Sequence, residues 1–194
     1  MIRPAVFLDR DGVLNEDVFY PHTGEWEAPL APEDMRLRPG VAAALARLDE
    51  AGYALALVSN QAGYAKGKTS LEALWATHRR LLALLAPIAF ADCRYSFSHP
   101  DGLVPGFSGP SVDRKPSPYP LLVAAAQHGF DLTRSWMVGD RDTDIVCGRA
   151  AGVHTVQVAN PHAGDKAGSA VPDYRVADLA AAADVILRQA AERA

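Results

Sequence analysis

AVFLDRDGVLN, residues 5–15, sets four apolar side chains, Ala5–Leu8, directly before two acids, Asp9 and Asp11, and a glycine, Gly12. The apolar run suits a strand buried on both faces. Carboxylates at its tip repel one another and are costly to desolvate, so they need a cation, a proton or a chemical task. Alternate side chains of a strand share a face, and an extended backbone through residue 11 predicts Asp9 and Asp11 on one side.

Further apolar runs occur at Ala54–Val58, Tyr95–Phe97, Trp136–Val138 and Thr155–Val158. Helical patterns lie mostly between and after them, at Val41–Ala51, Ser70–Leu85 with Ser70 as N-cap, Tyr119–His128, Thr143–Ala151 and Ala177–Ala191. Gly52, Gly129 and Gly152 follow three of these helices, where a left-handed residue commonly ends the turn. Alternation of this kind predicts an α/β fold: a mostly parallel sheet, right-handed crossovers, helices on both faces, and ligands bound at the carboxyl ends of the strands. Two stretches, 16–39 and 98–120, are rich in Pro, Gly or Ser and read as loops bordering the site. With 194 residues, 49% of them hydrophobic, one domain over 1–194 is expected, without a large cap.

Three predicted strand tips carry polar groups: Asp9, then Ser59-Asn60-Gln61, then Gly139-Asp140. If Asp9, Asp11 and Asp140 converge, a hard divalent cation resolves their repulsion, and Mg2+ suits a few carboxylates together with a phosphate. A carboxylate nucleophile, Asp9, can form an acyl-phosphate that water later cleaves. Asp11 can then serve first as acid and then as base. Ser59, the Asn60 backbone and Lys115 can stabilise the transferred phosphoryl group, and the turn at Gly12 offers backbone N–H groups.

Simpler readings stand beside these. Asp9 alone could end a turn, Asp140 and Asp142 could cap a helix, and Ser59-Asn60 could be a plain turn. Asp144 could hold Lys115 or a metal-bound water, or merely suit a helix's first turn. Lys115 and Arg141 could be surface charges. His99 reads as a loop residue bonded to backbone, and Cys93 and Cys147 as structural thiols.

A formal charge of −4 without a basic run argues against nucleic-acid binding. No apolar stretch reaches the length of a membrane span and no leader pattern opens the chain, so a cytoplasmic protein without membrane association is expected. A monomer is also expected.

The ordered set DRDGV (Asp9–Val13), SNQ (Ser59–Gln61), RKP (Arg114–Pro116) and GDRDTD (Gly139–Asp144) resembles the haloacid dehalogenase (HAD) superfamily, over about residues 5 to 158. FLDRDGVLN, SNQAGYAKG and RKPSPYPLL look most like its small-capped branch of heptose bisphosphate and histidinol phosphate phosphatases. The resemblance implies a Rossmann-like fold and a Mg2+-dependent phosphomonoesterase acting on a small sugar-like phosphate, best a heptose bisphosphate, with histidinol phosphate or a cyclitol phosphate as alternatives. It further implies Asp9 as nucleophile, Asp11 as general acid and base, and Asp9, the Asp11 carbonyl and Asp140 as metal ligands. Ser59 would bind the phosphoryl group, Lys115 would steady it, and Asn60, Gln61, Arg114 and Arg141 would lie near the substrate. Tyr20 and Trp26 would line its ring.

One departure stands out. The branch commonly carries a zinc loop, C-x-H and later C-x-C before RKP, whereas this chain has Ser96-Phe97-Ser98 and Ser111-Val112-Asp113. Hydroxyls are poor zinc ligands, so no zinc is expected. A receiver-like phosphate-sensing module is the alternative of another class. It shares an acidic pocket, Mg2+ and a lysine, but gains nothing from a second acid that promotes hydrolysis.

Overall fold

The computed structural model describes residues 3–164 and 168–193. Strand β1 (Ala5–Leu8) leads into a hairpin of β2 (Val18–Tyr20) and β3 (Glu25–Glu27). Then follow α1 (Val41–Glu50), β4 (Ala54–Asn60), α2 (Leu71–Leu85), β5 (Asp92–Ser96), α3 (Tyr119–His128), β6 (Trp136–Gly139), α4 (Asp142–Ala151), β7 (His154–Val158), β8 (Tyr174–Val176) and α5 (Leu179–Glu192). The main sheet has the order β5-β4-β1-β6-β7-β8, and each of its pairings is parallel.

The alternation within β1 builds two cores. Val6 and Leu8 pack with Leu55, Leu57, Trp136 and Val138 against α1, α2 and α5. Ala5 and Phe7 pack with Ala56, Val58 and Met137 against α3 and α4. A strand covered on both faces has to be apolar throughout, which is why the run reads as continuous. Ser70 caps α2 by accepting a hydrogen bond from the Ala73 N–H at 3.1 Å. Among the described residues no helix is long and apolar enough to cross a membrane.

The structure corrects the sequence reading in three places. Residues 16–39 are not all loop: Val18 pairs with Glu27 and Tyr20 with Glu25 in an antiparallel hairpin, and Pro32–Asp34 form a turn of 3-10 helix. Strands of three residues are too short to show a period. An edge strand, β8, was not foreseen for the same reason. The run expected at Tyr95–Phe97 is shifted, because β5 registers Asp92 to Ser96 against Ala56 to Asn60 and leaves Phe97 outside.

In the stretch 98–120, turns hold the chain where no sheet does. His99 N–H donates to Phe107 O at 3.0 Å and Gly109 N–H to His99 O at 3.1 Å. Three of the four side chains at the positions expected to lack zinc are bonded to one another: Ser96 Oγ donates to Asp113 Oδ1 at 3.1 Å, and Ser111 Oγ donates to the same oxygen. Both cysteines are free thiols.

Leu57 is fully buried beside the site-bearing strand tips. Leu57→Ala is expected to lower the free energy of unfolding by about 2–5 kcal/mol, measured by urea denaturation.

Candidate active site

β1 is flanked by β4 on one side and β6 on the other, and the chain winds outward from it in both directions. That is the topological switch point of a parallel sheet, where a crevice opens at the carboxyl ends. Asp9 follows β1, Asn60 ends β4, and Asp140 follows β6.

Lys115 occupies the centre. Its side chain is 1% exposed, and its ammonium lies 2.9 Å from Asp9 Oδ1 and 2.6 Å from Asp144 Oδ1. It also donates to Val58 O at 2.7 Å. The backbone of Lys115 is clamped by one side chain: Asn60 Nδ2 donates to Lys115 O at 2.9 Å, and Lys115 N–H donates to Asn60 Oδ1 at 3.0 Å. The loop 98–118 is thereby fastened to the tip of β4.

Ligand oxygens of Asp9, Asp140 and Asp144 lie within 4.8 Å of one another, and all three residues are buried. Lys115 pairs with Asp9 and Asp144, and Arg141 Nε stands 3.7 Å from Asp140 Oδ2, so three carboxylates share two cations and carry one excess negative charge when all are ionised. The titration behaviour records this imbalance. Burial works against ionised Asp9, but Lys115 outweighs it and holds that carboxyl below the usual range. Burial also opposes the charge of Lys115, yet Asp144 and Asp9 together raise its pKa. For Asp140, burial and then Asp9 and Asp144 push the pKa up to about 7. Asp144 is pushed up to about 6 by burial, with Lys115 opposing.

Asp140 Oδ1 is buried without a hydrogen-bond partner, while Asp9 Oδ1 accepts the Arg10 N–H at 2.7 Å as well as Lys115. A hard divalent cation fits such an all-oxygen set. Asp144 approaches closely because Gly139 has no side chain: a Cβ there would sit 2.2 Å from that of Asp144. Asp144 also accepts the Arg141 N–H at 3.0 Å, which fixes the first turn of α4.

Asp11 is arranged differently. β1 ends at Leu8, so residues 9–15 form a turn and the strand alternation does not extend to Asp11. Its Oδ1 accepts from Arg10 Nε at 3.0 Å and from Asn15 Nδ2 at 3.0 Å, and its Oδ2 from Gln61 Nε2 at 2.6 Å. Its carboxylate is therefore not in the three-acid cluster, although the residue lines the same pocket. Arg10, unforeseen from sequence, is completely buried, ion-paired with Asp11 at 2.9 Å and bonded to Gln61 Oε1 at 2.6 Å.

The pocket has a volume of about 380 Å3. Asp9, Asp11, Asn60, Arg114, Lys115 and Arg141 line it, as does Trp26. Three expected substrate contacts do not. Gln61 is 2% exposed and serves as the bridge between Arg10, Asp11 and Ser59. Ser59, equally buried, accepts the Gln61 amide at 3.0 Å. Tyr20 spends its hydroxyl on Asp34 Oδ2 at 2.6 Å and on the Leu30 N–H at 2.9 Å, which braces the hairpin. Asp142 lies outside the cluster, accepting the N–H groups of Ser169 and Ala170. His99 lines the pocket, with Nδ1 accepting the Asp101 N–H at 3.1 Å.

Replacing Lys115 by methionine leaves buried carboxylates without their cation. Lys115→Met is expected to cost about 3–5 kcal/mol of stability in urea denaturation of metal-free protein.

Comparison with known proteins agrees with this geometry. A family model described as HAD-hydrolase-like matches residues 112–182. A D-glycero-D-manno-heptose-1,7-bisphosphate 7-phosphatase of Thermosynechococcus vestitus is 42% identical, with both chains covered in full. A D-glycero-beta-D-manno-heptose-1,7-bisphosphate 7-phosphatase of Mesorhizobium japonicum is 34% identical over 95% of this chain and 84% of its own. Among solved structures, a D,D-heptose 1,7-bisphosphate phosphatase of B. bronchiseptica, complexed with magnesium and phosphate, superposes with a TM-score of 0.79 at 27% identity, covering 96% of this chain and 99% of that one. A relative 42% identical over the full chain and a solved phosphatase that superposes over 96% of it show that the chain belongs to the haloacid dehalogenase superfamily, as a phosphatase of that fold.

Proposed function

We propose that the protein is a Mg2+-dependent phosphomonoesterase that hydrolyses a sugar bisphosphate through an aspartyl-phosphate, with D-glycero-D-manno-heptose 1,7-bisphosphate as substrate and the 7-phosphate as the group removed. The observation that carries the chemistry is the gathering of Asp9, Asp140 and Asp144 in one buried cluster, with the Lys115 ammonium paired to Asp9 and Asp144, beside a pocket that Asp9 and Lys115 line. The substrate is supported by the name of the full-length relative at 42% identity.

Asp9, Asp140 and Asp144 would hold the cation, which fits because the cluster is oxygen-only, buried and short of positive charge. Magnesium bound there supplies positive charge to the phosphoryl oxygens. Asp9 Oδ2 carries the attack, since Arg10 and Lys115 both engage Oδ1 and so orient the carboxylate. A bond forms between that oxygen and phosphorus as the bond from phosphorus to the ester oxygen breaks, and protonated Asp11 gives its proton to the departing alcohol. Asp11, now ionised, removes a proton from water, which attacks the acyl-phosphate and releases inorganic phosphate and Asp9. Gln61, Asn15 and Arg10 keep Asp11 at the pocket wall for both steps.

Lys115 and Asn60 face the transferred group, and Arg114 and Arg141 supply cationic wall for the rest of a doubly phosphorylated substrate. Trp26 offers an apolar surface to the sugar. Residues 1–194 act as one domain and one monomer in this reading, without zinc, in the cytoplasm.

Asp9→Asn is expected to lower phosphate release on the order of 10³-fold or more, and Asp11→Asn by about 10²–10⁴-fold. EDTA should abolish activity and added MgCl2 restore it. Activity retained in either variant or in EDTA would defeat the mechanism. Across a panel of heptose bisphosphate, histidinol phosphate and cyclitol phosphates, kcat/KM should be highest for the first. A higher value for histidinol phosphate would remove the heptose as substrate. Stable phosphorylation by acetyl phosphate with no turnover of any of them would make the protein a phosphate sensor.

A further inference from the structure

Asn160 lies in the segment after β7, where nothing in the sequence singles it out. Its Nδ2 donates two hydrogen bonds, to Asp140 Oδ2 at 2.7 Å and to Asp17 Oδ2 at 2.8 Å. Its Oδ1 accepts the His162 N–H at 3.0 Å. The orientation of the amide is thus dictated on both ends: two carboxylates require the NH2 group, and a backbone N–H requires the oxygen.

We propose that Asn160 is a positioning residue for the cation site, anchored by Asp17, whose amide captures Oδ2 of Asp140 and thereby reserves Oδ1 for the metal ion. The proposal rests on the magnesium reading above. Asp140 Oδ2 is engaged by Asn160 and ion-paired with Arg141 Nε 3.7 Å from it, whereas the buried Oδ1 has no hydrogen-bond partner. A carboxylate free to turn would have to be ordered each time an ion bound. A carboxylate held by one oxygen presents the other already aimed. A neutral amide suits the task better than a lysine would, because it restrains Asp140 without cancelling the charge that attracts the cation.

The packing shows that this contact is closely built. A Cβ on Gly12 would lie 2.4 Å from Asn160 Nδ2 and 2.5 Å from Asp140 Oδ2, so the hydrogen bond is seated directly on the turn that follows Asp11. At φ +76° that turn also favours glycine. Arg38 ties the same two segments together, donating through Nη1 to Gly12 O and through Nη2 to Ala159 O at 3.0 Å. On the other side, Trp26 stacks on His162 with centroids 3.6 Å apart and planes 9° apart. Asn160 therefore stands where the nucleophile turn, the hairpin and the metal carboxylate meet. Asp17, only 8% exposed, has its second oxygen buried without a partner, as expected of a carboxylate retained to hold one amide.

The test titrates MgCl2 against wild type, Asn160→Ala and Asn160→Ser, reading the melting temperature without substrate and, separately, initial rates of phosphate release. Partners standing behind metal ligands typically govern affinity by about 10- to 100-fold, and a rise of that size in the Mg2+ half-saturation is expected in both variants. Saturating Mg2+ should restore most of kcat, and KM for the phosphate ester should change little. Serine is included because its short hydroxyl cannot span both carboxylates yet leaves a polar group in place should alanine prevent folding. Wild-type half-saturation in either folded variant would overturn the role of Asn160, as would a loss of kcat that Mg2+ cannot restore. A wild-type protein whose melting temperature ignores Mg2+ would instead bring down the magnesium reading itself, and this inference with it.

Discussion

One buried ammonium clamped between two carboxylates, with a third acid beside them, is the constraint around which the molecule is arranged. Lys115 pairs with Asp9 and Asp144 in a region where its side chain is 1% exposed. An isolated charge at such depth would be prohibitive, and even a paired one is tolerated only with close geometry and further hydrogen bonds. The geometry comes from four separate pieces of chain: the turn after β1, the tip of β4 through Asn60 and Val58, the loop before α3, and the first turn of α4. The imbalance that remains falls on Asp140, whose pKa is pushed up to about 7 by burial and by Asp9 and Asp144.

Around that centre, the polar interior falls into two groups with different tasks. Arg10, Gln61, Ser59 and Asn15 form a network under Asp11 that takes up both of its oxygens. Asn160, Asp17 and Arg38 form another behind Asp140. The first carries the Arg10 guanidinium, which offsets the charge of Asp11, whereas in the second Arg38 and Asp17 offset one another and a neutral amide restrains Asp140. The loop 98–118 is tied by Asp113 accepting from Ser96 and Ser111 and by the Asn60 clamp.

Much of the architecture could be read in advance, and particular residues show why. Apolar runs flanked by helical periods identify the five long strands and the five helices, because burial on both faces imposes continuous hydrophobicity and one-sided packing imposes a period. The hairpin at 18–27 and the strand at 174–176 escaped, since three residues carry no measurable pattern and depend on pairing partners. Asp9, Asn60, Lys115 and Arg141 were legible as pocket residues from motif order. Ser59 and Gln61 are expected in the pocket by the same reasoning and Tyr20 as a wall for the sugar ring, yet they bond Asp11, each other or Asp34 instead.

The sequence by itself determined the fold class, the strand tips that bear acids and the superfamily, because local pattern and ordered motifs are properties of the chain alone. Only the tertiary structure decided that Asp144 joins Asp9 and Asp140 while the Asp11 carboxylate stands apart from that cluster on the pocket wall, and that Arg10 and Asn160 stand behind them. Those facts depend on which oxygen meets which donor across 50 to 140 residues of separation. Such meetings follow from packing and from the need to satisfy buried polar groups, neither of which leaves a mark at a fixed spacing along the chain.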